Sequence, residues 1–173
     1  VPAAVAVADH LAKECDFFSI GTNDLVQYTL AVDRVNERIA HMFEQAHPAV
    51  FRMLRDTVQA AKKANIPVTI CGEMAGNPIF TEALMGLGVT SLSMSPVSIP
   101  EIRSIVAHSR LNMAMRFANK ILDMGSIPAI KAQLRRRYDN KQTAFWGLSQ
   151  FDRATLEGEL DEEDEVRAAE EAE

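Results

Sequence analysis

The chain has 173 residues, 47% of them hydrophobic, which suits one domain with a real core and is too little for two large ones. The net charge of −6 is unevenly placed: residues 157–173 hold ten acids against one arginine, a balance of −9, which leaves the preceding 156 residues at +3. An acidic tail on a near-neutral body argues against a nucleic-acid partner, and no apolar run approaches the roughly 18 residues of a membrane span. The N-terminus lacks the basic region of a signal peptide. The two cysteines, Cys15 and Cys71, form no metal-type pair and fit a reducing, cytoplasmic setting. The opening Val1-Pro2, in place of Met, reads as a piece of something longer.

Taken in order, Pro2 to Glu14 reads as an alanine-rich helix with Val5, Ala8, Leu11 and Ala12 on one face. Asp16 to Ile20 is the first predicted strand, followed by Gly21-Thr22-Asn23-Asp24. Leu25 to Ala31 gives a turn or two of helix, Asp33 to Arg38 an exposed loop, and Ile39 to Gln45 further turns. His47-Pro48 opens a helix over Ala49 to Ala64, in which Val50, Met53, Leu54, Val58 and Ala61 recur at close to the helical period, with Asn65 as its C-cap. Pro67 enters the second strand, which runs to Ile70 and is followed by Cys71-Gly72-Glu73-Met74-Ala75-Gly76-Asn77-Pro78. Thr81 to Leu87 is a helix closed by Gly88, and Val89 to Met94 is the third strand, ended by Ser95-Pro96. Helices are then predicted from Ile99 through Val106, over Leu111 to Met124, and over Pro128 to Tyr138. Phe145-Trp146-Gly147-Leu148 is an apolar patch, either a docking anchor or a hydrophobic turn. From Glu157 the composition is that of a disordered tail.

Repeated strand and helix imply a parallel sheet with right-handed crossovers. Parallel strands need both faces and both edges covered, and a full eight-strand barrel takes roughly 250 residues. The expected fold is therefore α/β: the C-terminal portion of a (β/α)8 TIM barrel, about three strands over residues 1–140, with extra C-terminal helices and an acidic tail over 141–173. A small open sheet that pairs with something else is the other reading. In either, the C-terminal ends of the strands are the edge where chemistry is placed, so Asn23, Asp24, Cys71 and Glu73 should share one rim.

Each of these residues also has a plain structural reading. Cys71 could be a buried, inert thiol, and Cys15 reads as a core thiol at a helix end. Asp24 could be a helix cap. Arg34 could form a surface ion pair with Asp33, and His47 could simply start its helix. His10, His41 and His108 show no metal spacing, the methionines fill core, and Arg135-Arg136-Arg137 suits a helix C-terminus or a phosphate-rich partner.

Gly21-Thr22-Asn23-Asp24-Leu25 with Gln27 to Arg34, Cys71-Gly72-Glu73-Met74-Ala75-Gly76, and Leu92-Ser93-Met94-Ser95-Pro96 together resemble the phosphoenolpyruvate-utilising enzymes. The resemblance is nearest to enzyme I of the bacterial sugar phosphotransferase system, the phosphoenolpyruvate–protein phosphotransferases, and runs from Val1 to about residue 140. It implies a barrel that binds phosphoenolpyruvate and Mg2+, dimerises, and passes a phosphoryl group by way of a protein histidine to the phosphocarrier HPr. It further implies Asp24 as a Mg2+ ligand, Asn23 on the phosphate, Arg34 as the clamp on its charge, and Cys71 as the acid that protonates the pyruvate enolate. Gly21, Thr22, Gly72, Glu73 and His47 are supporting residues, Glu73 by orienting the loop. The family's second Mg2+ carboxylate, a Glu, would directly precede Val1, so little or no phosphotransfer is expected from the 173 residues alone. Alternatives are an inactive, structural or dimerisation fragment, or part of a pyruvate phosphate dikinase or phosphoenolpyruvate synthase.

Overall fold

The computed structural model describes residues 1–146, and of these the side chains up to Lys141. Residues Val1–Arg136 form one compact unit; a second begins at Arg137, and only the end of a helix is described in it. Two short helices open the chain, α1 (Pro2–Ala6) and α2 (Ala8–Leu11), where one continuous helix to Glu14 was expected. The break lies at Val7 (φ −119°, ψ 19°), and it lets Ala8 and Ala12 pack inward while Val7 stays exposed. Cys15, expected in the core, is exposed.

Strand β1 (Phe18–Gly21) leads directly into α3 (Thr22–Leu30), which ends on Ala31 in the left-handed region. Helix α4 (Pro48–Ala64) follows, with Asn65 as its left-handed cap (φ 58°), as the sequence predicts. It buries Val50, Phe51, Leu54, Val58 and Ala61, and carries Lys62 and Lys63 in its last turn, where they suit the helix dipole. Strand β2 (Val68–Cys71) leads to α5 (Glu73–Gly76), a short helix where a loop was expected, and then to α6 (Thr81–Leu87), closed by Gly88 at φ 100°. Strand β3 is only Ser91–Leu92. It is shorter than the predicted Val89 to Met94: at Thr90 the side-chain hydroxyl, in place of a backbone carbonyl, accepts from the Val68 N–H (3.0 Å), while the Thr90 N–H (3.1 Å) and hydroxyl (2.8 Å) both donate to the Val68 carbonyl. Helices α7 (Ile99–Ala107), α8 (Leu111–Leu122) and α9 (Ile127–Trp146) complete the described chain. Helix α9 runs past Tyr138, so Phe145 and Trp146 lie in it; Gly147, Leu148 and the acidic stretch beyond lie outside the described residues.

The three strands are parallel in the order β1-β2-β3, with Phe18 opposite Val68, Gly21 opposite Cys71, and Ile70 opposite Leu92. This overturns the expected TIM-barrel portion. The domain is mostly helical, and its sheet is open, with β1 and β3 each paired on one side only among the described residues. Barrel closure demands neighbours on both sides of every strand, and a three-strand run cannot meet that condition. The strands are also covered mainly on one face. Burial alternates along β2, with Val68 and Ile70 inside and Thr69 and Cys71 half-buried on the other face.

Helix packing supplies most of the core. Ile20, Val68 and Ile70 meet Phe51, Leu54, Leu84, Ile121, Ile130 and Leu134 in one apolar cluster, with the Phe51 and Phe80 rings 6.3 Å apart. Helices α6 and α8 approach closely through small residues, Ala83, Gly86, Ala114 and Ala118. A Cβ at Gly86 would run into the backbone carbonyl of Ala114 and lie 2.8 Å from the Ala118 Cβ. The obstacle is backbone, which cannot swing aside, so Gly86→Ala should force the helices apart. The expected cost is about 1–3 kcal/mol, read as a lower urea midpoint; an unchanged midpoint would show that this contact is not tight in solution.

Candidate functional site

The end of β1 turns into α3 at Gly21, so Thr22, Asn23 and Asp24 occupy the first helical turn. An acid there meets the positive end of the helix dipole. Asp24 is exposed, and its Oδ2 lies 3.6 Å from the position a Cβ on Gly21 would take, so the carboxylate folds back over the strand end. Thr22 is fully buried and donates its hydroxyl to the Cys71 carbonyl at 2.9 Å. That bond ties the end of β1 to the end of β2, where Gly21 and Cys71 are already opposite in the ladder.

Cys71 is half-buried on the sheet face away from the core. Its Sγ lies 3.6 Å from the Ile20 carbonyl, to which the thiol donates, and 3.9 Å from the Ser19 hydroxyl. The thiol therefore lies outside the core: the apolar neighbours Ile20 and Ile70 point the other way. Gly72 has φ 96°, a left-handed conformation that disfavours any side chain, and a Cβ there would lie 2.7 Å from the Thr22 hydroxyl oxygen. This turn starts α5, and the Glu73 N–H donates to Asn23 Oδ1 at 3.4 Å.

Arg34 reaches the same rim from the loop after α3. Its Nη1 lies 3.3 Å from Glu73 Oε1, in an exposed ion pair. The alternative pair with Asp33 does not form: Asp33 Oδ1 instead accepts from the Val35 N–H at 2.9 Å, closing a local turn. The third strand end adds the loop after β3, whose Met94 Cβ and Ser98 Oγ would lie 3.5 and 3.4 Å from a Cβ at Gly76. Asn23, Asp24, Arg34, Cys71, Gly72 and Glu73 thus gather at one sheet edge. His47 does not join them through its hydrogen bond; its Nδ1 accepts from the Ala49 N–H at 3.1 Å and caps α4, which is the structural role. Ser19 was missed, although its place two residues before Gly21 puts it on the Cys71 face by strand alternation alone. The Arg34–Glu73 pair carries no local signal, because its members are 39 residues apart.

No group of three or more His, Cys, Asp or Glu placed to hold a metal ion occurs among the described residues. Asp24 nevertheless suits one position on Mg2+, which is commonly held by one or two carboxylates, waters and substrate phosphate oxygens. The described residues supply that one free carboxylate at the rim, since Glu73 faces Arg34. No described helix is long and apolar enough to cross a membrane.

Residues 1–111 match the family model of the PEP-utilising enzyme, PEP-binding domain. A phosphoenolpyruvate-protein phosphotransferase of Bacillus sp. (strain S) is 41% identical over 138 residues, covering 80% of this chain and 24% of its own length. One of Haloferax volcanii is 46% identical over 121 residues, covering 70% of this chain and 21% of its own length. A multiphosphoryl transfer protein of Xanthomonas campestris pv. campestris is 44% identical over 132 residues, 76% of this chain and 16% of its own. The chain therefore spans less than a quarter of the length of these relatives. The family model covers most of the chain and includes all three rim motifs, and on that ground the chain belongs to the PEP-utilising enzymes, matching their PEP-binding domain.

Proposed function

We propose that this chain is the part of a phosphoenolpyruvate–protein phosphotransferase that holds phosphoenolpyruvate and delivers the proton that makes pyruvate. The observation that carries this is the register of β1 on β2, which sets Cys71 beside the Asn23-Asp24 turn with Arg34 at the same edge. The kinship to phosphotransferases supports the same reading.

In this reading the Arg34 guanidinium and the Asn23 amide receive the phosphate of the substrate. The phosphorus–oxygen bond to the enol oxygen breaks as a protein histidine attacks, and the electron pair stays on the enolate. The Cys71 thiol then gives its proton to the enolate methylene carbon, and the thiolate left behind can take a proton back from the methyl group of pyruvate in reverse. A thiol held on the less buried face of a strand end can stand above a planar enolate. Asp24 would hold Mg2+, which when bound would neutralise charge on the phosphate and enolate oxygens. The transfer onward to an HPr-type phosphocarrier, a homodimeric state and a cytoplasmic location belong to the same proposal for a protein of the relatives' length.

Calorimetric titration with oxalate, a mimic of the enolate, tests the site. Binding should depend on Mg2+ and fall at least tenfold in Asp24→Ala; Mg2+-independent binding would remove Asp24 from the metal role. Exchange of the pyruvate methyl protons with deuterated water, followed by proton NMR, tests the acid. It should be lost in Cys71→Ala while oxalate binding persists, and exchange at an undiminished rate would exclude Cys71.

A further inference from the structure

The Arg34–Glu73 ion pair places a carboxylate where the proposed substrate anion would go. Arg34 Nη1 is 3.3 Å from Glu73 Oε1, with the two side chains 41% and 66% exposed. The contact is single and solvent-facing, so its intrinsic strength is small, of the order found for surface pairs. Glu73 does not reach this position freely. Its backbone N–H is held by Asn23 Oδ1, and the turn before it is fixed by Gly72 in the left-handed region. The same short helix therefore fixes the base of the carboxylate and joins it to Asn23, the other residue assigned to the phosphate.

We propose that Glu73 is an internal competitor for the substrate anion: it parks the Arg34 guanidinium at the rim and yields it when a phosphate arrives. The competition has a clear direction. A carboxylate making one contact is a weaker partner for a planar guanidinium than a phosphate dianion that can accept two parallel N–H bonds. Parking also has a use. A long arginine on a loop has many rotamers to lose on binding, and holding it near the strand ends removes part of that cost before the substrate arrives. The pair thus trades some affinity for a guanidinium already in place, and it discriminates against ligands too weakly charged to displace a carboxylate. Glu73 becomes a positioning and specificity residue acting through Arg34, distinct from the proton donor. The inference rests on the assignment of Arg34 as the phosphate clamp.

The test is calorimetric titration of the purified 173-residue chain with inorganic phosphate and with phosphoenolpyruvate, in the wild type, Glu73→Gln, Arg34→Met and the double variant. Glu73→Gln keeps the backbone N–H that bonds Asn23, so the turn should persist, and circular dichroism checks that it folds. Removing the competing charge should tighten phosphate binding roughly two- to fivefold, the range expected from an exposed pair. The gain should vanish in the Arg34→Met background and shrink in high salt. Binding that needs Arg34 but is unchanged or weaker in Glu73→Gln would overturn the competition and leave the proposed site standing. Binding that is absent throughout, or indifferent to Arg34, would remove the phosphate clamp and the competition together.

Discussion

The buried hydrogen bond from the Thr22 hydroxyl to the Cys71 carbonyl holds the two strand ends of the candidate site together. Leaving a buried hydroxyl without a partner is costly, and the register in which Gly21 faces Cys71 supplies one for Thr22. Slipping β2 by one residue would break that bond and also turn Val68 and Ile70 out of the core. The polar tie and the apolar face thus specify the same register. Gly72 completes the constraint, since the backbone passes so close to Thr22 that a side chain has no room.

Around that fixed point the charges are exposed and loosely held. Asp24, Glu73 and Arg34 all face solvent, and the ion pair among them contributes little to stability. This division has a physical logic. The scaffold uses buried, uncharged contacts whose disruption is costly, while the rim keeps groups that can change partners when a ligand brings its own charge. Cys71 stands between the two regimes, with its backbone locked into the ladder and its sulfur on the half-open face.

The helices decide how that face is presented. Helix α4, with α6 and α8, covers the side of the sheet that carries Ile20, Val68 and Ile70. The close passage of α8 over Gly86 lets a seven-residue helix, α6, be buried along most of its length. The other face has no comparable cover among the described residues, and this leaves Ser19 and Cys71 accessible. An open three-strand sheet is therefore compatible with a functional edge, although it does not support the barrel that the repeating pattern and the resemblance led one to expect.

What could be read from the chain alone was local. The order of strands and helices, the caps at Asn65 and Gly88, the start of α4 at His47-Pro48 and the rim motifs all follow from short-range rules of periodicity, turn chemistry and backbone strain. The motifs also carried the family, because the residues of such a site lie in a few short runs. Tertiary structure alone decided the rest. It chose Glu73 over Asp33 as the partner of Arg34 and put Cys71 on the open face of the sheet. It set the Thr90 hydroxyl as the acceptor of the Val68 N–H beside a short β3, and it left the sheet unclosed. Each of these depends on groups 22 or more residues apart meeting in space. Local preference has no information about such meetings, since they are set by which faces the core buries and which edges find a neighbour.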